Sequence, residues 1–321
     1  MNPIFYILAA MSALVLIFFA ILYYCFSKAF LVTQKQRDSV KEFDIPDGEI
    51  YEPHREQMVQ WIKEVRAMPH EDVSVTSFDG ITLHGRYFEY DPAAPTELMF
   101  HGYRGNADRD LCGGVQRCMA IGHNALIVDQ RCSGRSGGNV ITFGVNERRD
   151  CETWVKFMID HFGDDVKIIL TGISMGGATV LMASGYPQPK NVIGVLSDCG
   201  YTSAEEIIKK VIKDDMKLPA DAAYPFVKLA ARVFGGFDLE EMPPIEAVKQ
   251  CALPVIIFHG DADDFVPCEM GRRIYDACAS EKKQLVVVSG AGHGLSYLVD
   301  PELYLCELGP FFDGEKCQYN N

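Results

Sequence analysis

Six runs rich in Val, Ile and Leu recur along the chain at 97–102, 125–129, 166–172, 192–198, 254–260 and 284–290, each separated from the next by helix-length sequence. Near-continuous apolar runs of this length, without polar alternation, fit strands buried on both faces, which is the condition of a parallel sheet covered by helices. Two further β-rich runs, VSVTSF (73–78) and ITLHGRYF (81–88), flank Asp79-Gly80, a hairpin turn signal. The pattern predicts a mixed, mostly parallel eight-stranded α/β sheet with helices on both faces. One connection exceeds a simple crossover: residues 201–248 carry the amphipathic stretches SAEEIIKKVI and AAYPFVKLAARVF. That insertion is expected to form a helical cap.

Residues 4–26 are uncharged and strongly apolar, enough at 1.5 Å per residue to cover a hydrocarbon layer of about 30 Å. The run exceeds a signal-peptide core, no Lys or Arg precedes it, and Ser27-Lys28-Ala29 is a poor cleavage site. An uncleaved single-pass anchor over residues 1–27 is expected. Lys28, Lys35, Arg37 and Lys41 follow it, so the positive-inside rule puts the remainder on the cytoplasmic side. The eleven cysteines show no CxxC spacing, which fits neither a zinc site nor a disulfide ladder and suits a reducing compartment. Residues 28–70 are polar, with a short helical pattern, and read as a stalk leading into a domain over 71–321. The excess of 44 acidic over 30 basic residues, a formal charge of −14, disfavours nucleic acid as a partner.

Between the run at 166–172 and a helix-forming stretch lies Gly172-Ile173-Ser174-Met175-Gly176. A G-x-S-x-G at a strand-to-helix turn holds its serine in a strained backbone and lifts the hydroxyl above the sheet. Serine needs a base and the base an orienting acid. His293 follows the last strand run, and Asp261, Asp263 and Asp264 follow the one before it, giving the chain order Ser, Asp, His. There is no HExxH, Walker A or dinucleotide fingerprint in the sequence, so the chemistry is expected to need neither cofactor nor metal.

Four motifs, HGYRGN (101–106), DQRCSGRSGG (129–138), GISMG (172–176) and HGDADDFVP (259–267), closed by GHG (292–294), occur in this order. With them the stretch from about 73 to 312 resembles the α/β-hydrolase superfamily, in particular its serine aminopeptidase-like and monoacylglycerol lipase-like branch. The resemblance implies Ser174 as nucleophile, His293 as base and Asp263 as acid, with Asp261, Asp264 and Asp198 as rival acids. It also implies an oxyanion hole from the backbone N–H groups of Tyr103 and Met175. His101 is expected to order its turn. Cys132 stands where relatives have glycine, and its backbone is expected to stay at negative φ; Arg131 and Arg135 are expected in structural salt bridges. The resulting expectation is a membrane-anchored serine hydrolase of a carboxylic ester or thioester with a hydrophobic acyl chain, Tyr224, Phe226, Phe234 and Phe237 of the cap contributing the apolar surface. A serine peptidase or amidase, acyl transfer to an alcohol, and a non-catalytic tethered binding module are the alternatives.

Overall fold

The computed structural model describes residues 3–38 and 42–314; Lys41 of the basic flank and Cys317 lie outside them. The eight strands are β1 (Glu71–Thr76), β2 (Thr82–Phe88), β3 (Thr96–Phe100), β4 (Asn124–Asp129), β5 (Ile168–Ile173), β6 (Val192–Asp198), β7 (Val255–Gly260) and β8 (Lys283–Val288). They form one sheet in the order β1-β2-β4-β3-β5-β6-β7-β8. β2 pairs antiparallel with β1 and β4, and every pairing from β4 to β8 is parallel. The eight runs read from hydropathy are these strands. β3 and β7 are buried at every position, as strands covered on both faces must be.

The helices are α1 (Pro3–Ala29), α2 (Gln34–Asp38), α3 (Arg55–Ala67), α4 (Ala107–Ile121), α5 (Glu147–Phe162), α6 (Met175–Ser184), α7 (Ala204–Asp214), α8 (Ala220–Ala230), α9 (Pro244–Ala247), α10 (Cys268–Ala277), α11 (Ser296–Val299) and α12 (Pro301–Asp313). α4, α3 and the strands they cover share one apolar cluster, and α5 and α10 help close another on the sheet. α7 and α8, with a π-helical turn at Ala231–Gly235, make up the long insertion between β6 and β7. α7 is capped by Ser203, whose Oγ accepts from Glu206 N at 3.1 Å, and it turns Ile207, Ile208 and Ile212 inward.

The segment after residue 27 lies against the domain instead of standing off it as a stalk. Val32 N donates to Asn139 O at 2.8 Å and Ile141 N to Phe30 O at 2.9 Å, forming a short antiparallel contact. Arg37 donates to the carbonyls of Gly138, Gly134 and Ser136. α3 packs on α4 through Ile62 and Val65, and Tyr51 reaches the site described below. Polar composition reads as a stalk, whereas the Arg37 guanidinium is held by loop carbonyls of the domain.

Candidate active site

β5 ends at Ile173 and α6 begins at Met175, leaving Ser174 alone at the junction with φ 56° and ψ −116°. Such a backbone is strained for an L-residue. It is held in place by Ser174 N donating to Asp198 O at 2.8 Å and by Ala178 N donating to Ser174 O at 2.9 Å. The flanking glycines are required by space. A Cβ on Gly176 would lie 2.0 Å from Phe100 O, and one on Gly172 2.2 Å from the Gly176 carbonyl carbon. Gly176→Ala is therefore expected to lower stability by about 3 kcal/mol, the upper end for overpacking because backbone opposes backbone. Urea unfolding of the full chain measures it.

His293 sits on the loop after β8. Its Nε2 is 2.9 Å from Ser174 Oγ, and its Nδ1 is 2.7 Å from Asp263 Oδ2. Asp263, on the loop after β7, is buried. Its Oδ1 accepts the backbone N–H groups of Phe265 and Val266 at 3.0 and 2.8 Å. Burial alone would raise its carboxyl; hydrogen bonds from His259 and His293, the charge of His293 and the Val266 N–H outweigh it and hold the value at about 2. His259 Nε2 lies 3.5 Å from Asp263 Oδ2 and 2.8 Å from Val266 O.

The rival carboxylates are engaged elsewhere. Asp198 accepts Ser296 Oγ at 2.9 Å and Tyr304 OH at 3.2 Å, and burial raises its pKa. Asp261 accepts Gly290 N at 2.6 Å and Ser289 Oγ at 3.3 Å, capping the loop after β8. Asp264 is exposed.

Met175 is the first residue of α6, so its N–H has no acceptor within the helix and lies at the positive end of the dipole. The turn carrying Tyr103 closes on the same point: a Cβ on Gly102 would be 3.5 Å from Ser174 Cβ. Asp110 fixes this turn through its Oδ2, which accepts Gly102 N at 2.9 Å, and Arg109 pairs with Asp110 at 2.8 Å. His101 orders the turn as expected. Its Nε2 accepts Gln130 N at 3.0 Å, leaving Nδ1 to donate to Gly102 O at 2.8 Å, and burial lowers its pKa and favours this neutral tautomer.

In the loop after β4, Arg131 is buried in a pair with Asp150 at 2.7 Å and reaches Asp79 at 3.0 Å; Arg135 pairs with exposed Asp72 at 2.6 Å. Cys132 does not stay at negative φ. Its φ is 71°, so it keeps the left-handed backbone that a glycine would favour and bears the strain with its side chain buried. Three further residues carry no motif. Tyr51 donates its hydroxyl to His293 O at 2.9 Å, and Asp110 holds the Gly102 turn. The third is Cys199, whose thiol, raised by burial, forms with Asp263 and His293 a set of metal-capable donors within 4.8 Å of one another. Two of those donors already share the 2.7 Å hydrogen bond.

Two cavities meet at Ser174. The larger, about 730 Å³, is bounded almost wholly by apolar side chains from α1, α7, α8 and Phe143, with Lys28 and Asp215 as its charged members. The smaller, about 160 Å³, lies on the His293 side and is lined by Tyr51, Gly102, Arg109 and Asp110 among others. Of the four aromatic residues expected in the acyl site, Phe226 lines the large cavity. Tyr224 bonds Glu240, and Phe234 and Phe237 pack on α1 and the residues just after it.

The fold has many solved counterparts. The chain superimposes on the Pyrococcus furiosus esterase Pf2001 with a TM-score of 0.64 at 23% identity, covering 85% of this chain and 98% of that one. With the eight-stranded order, this decides the fold. The chain has the α/β-hydrolase fold. Its residues 141–300 match the prolyl oligopeptidase family. It is 25% identical over 239 residues to the uncharacterized protein YqkD of Bacillus subtilis, covering 74% of this chain and 78% of that protein. It is 24% identical over 221 residues to the protein bem46 of Schizosaccharomyces pombe, covering 68% of each.

Proposed function

We propose that this protein is a membrane-anchored serine hydrolase that cleaves a carboxylic ester, or thioester, of a hydrophobic acid through an acyl-enzyme on Ser174. The observation that carries the proposal is the continuous hydrogen-bond chain Asp263–His293–Ser174, at 2.7 and 2.9 Å, opening onto an apolar cavity of about 730 Å³. His293 Nε2 takes the Ser174 proton as Oγ attacks the acyl carbonyl. The negative charge on the tetrahedral oxygen falls to the N–H groups of Tyr103 and Met175, donors worth about 10²–10³ in rate apiece. Asp263 holds Nδ1–H and stabilises the imidazolium. His293 then protonates the leaving group, which departs through the smaller cavity, and a water entering there releases the acyl chain by the reverse transfers.

α1 is long and apolar enough to cross a membrane. Burial of Leu22 and Phe26 in the cluster formed with the helical insertion supports a retained anchor over a removed signal, because cleavage after them would leave that cluster open. Lys28, Lys35 and Arg37 favour the cytoplasmic side for the catalytic domain. The cysteines support that side only in part: among the described residues nine are free thiols, whereas Cys306 is disulfide-bonded.

The match to the prolyl oligopeptidase family favours a second reading, hydrolysis of an amide bond. The full chain in detergent should hydrolyse p-nitrophenyl esters from acetate to palmitate, with kcat/KM rising with chain length, and leave aminoacyl p-nitroanilides intact. Cleavage of the anilides with all esters untouched would overturn the ester reading in favour of the amidase.

A further inference from the structure

The helix whose hydropathy marks it as an anchor also closes one side of the large cavity. Residues 3–21 of α1 are exposed throughout, but below them the helix is seated on the domain. Leu22 and Phe26, and Phe30 just beyond the helix, are spaced four apart on one face and are all buried. The Phe26 ring lies 5.7 Å from that of Phe234, and Phe30 lies 5.3 Å from Phe237 and 5.8 Å from Phe143. The fit is close at Gly235, where a Cβ would come within 3.3 Å of the Phe26 ring.

The end of α1 is bonded directly to the turn beside the nucleophile. A helix leaves its last carbonyls without intrahelical partners. Here Tyr103 OH donates to Ala29 O at 2.7 Å, and Arg104 donates to Lys28 O at 2.9 Å and Leu31 O at 3.2 Å. Tyr103 is the residue whose backbone N–H is assigned above to the oxyanion. The helix is thereby registered against the reacting centre.

A second stripe of α1, Ile21, Tyr24, Cys25 and Lys28, recurs at i, i+3, i+4 and i+7 and lines the cavity that contains Ser174. We propose that this stripe is the chain-length-determining wall of the acyl site, so that α1 is a substrate-binding element as well as an anchor. The proposal rests on the ester-hydrolase reading for the identity of the substrate, though not for the existence of the wall. α7 and α8 form the facing side through Ile208, Val211 and Phe226, so an acyl chain leaving Ser174 runs between α1 and the insertion. A bulky group placed on the α1 side shortens that slot without touching Ser174, His293 or Asp263.

Cys25→Trp in the full chain, in detergent micelles, is the test. The ratio of kcat/KM for p-nitrophenyl palmitate to that for the butyrate should fall about tenfold or more, since steric loss of several methylene contacts discriminates at least this strongly. Leu14→Trp, on the exposed part of α1 and away from the cavity, is the control and should leave the ratio at its wild-type value. An unchanged ratio in a Cys25→Trp protein that melts with the wild type overturns the proposal, and Ile21→Trp takes its place if the first variant does not fold. Binding of cis-parinaric acid to Ser174→Ala separates the two claims. If no ester is cleaved by the wild type, the ester reading fails alone, and the wall stands if Cys25→Trp still weakens parinarate binding about tenfold. It falls if that affinity does not change.

Discussion

Ser174→Ala is expected to lower kcat about 10⁶-fold while the protein stays folded and keeps its affinity for a long acyl chain. The size of the effect comes from the way the three side chains act as a unit. Without Oγ there is no atom for His293 Nε2 to activate at 2.9 Å, and the 2.7 Å contact to Asp263 then orients a base with nothing to deprotonate. The backbone of the elbow is not expected to relax, because Ser174 N and O are both held by main-chain bonds. What remains is stabilisation by the Tyr103 and Met175 amides, so the variant should retain a small rate above the uncatalysed reaction. Burst and steady-state measurements on p-nitrophenyl esters check both parts. A variant that keeps more than a few per cent of wild-type turnover, after excluding contaminating hydrolase by active-site titration, would remove Ser174 from the role of nucleophile.

Much of the scaffold was legible because burial on both faces leaves a compositional trace. Strands such as Val255–Gly260 are apolar nearly without interruption, and the glycine-bracketed serine falls at the turn between β5 and α6. The choice of Asp263 over Asp261 and Asp264 came from a motif resemblance. Its physical basis, two N–H donors and two imidazoles around one buried carboxylate, is visible only in three dimensions. The seating of α1 left no such trace. Leu22 and Phe26 are buried while Ile21 and Tyr23 are exposed, but in a uniformly apolar run the buried face has no polar face to contrast with. Tyr51 and Asp110 were missed for a related reason: each acts through one backbone contact, and a lone tyrosine or aspartate carries no spacing to read. Cys132 shows the opposite case, since its residue type normally avoids positive φ and nothing in the sequence marks the exception.

Asp263→Asn separates the orienting role of the acid from mere packing, because it preserves shape and removes charge. With a carboxylate, His293 must present Nδ1–H to it, which leaves Nε2 free to accept the Ser174 proton. An amide can instead turn its NH₂ toward Nδ1, fixing the other tautomer and pointing Nε2–H at Ser174. The expected loss in kcat is about 10⁴-fold with a much smaller change in KM. Stability should respond with a definite sign. The Asp263 carboxyl sits at about 2 against an ordinary 3.8, so its interactions stabilise the fold fully above the ordinary value, and that stabilisation is lost as pH falls from there through about 2. The difference corresponds to about 2 kcal/mol. Wild type should therefore lose more stability than Asp263→Asn between those two pH values, and the gap between their unfolding free energies should be widest at neutral pH. Equal acid sensitivity of the two proteins would mean that Asp263 is not held ionised by His259, His293 and the loop amides. A kcat loss without any change on acidification would leave its role in catalysis but not its place in the ion-paired core.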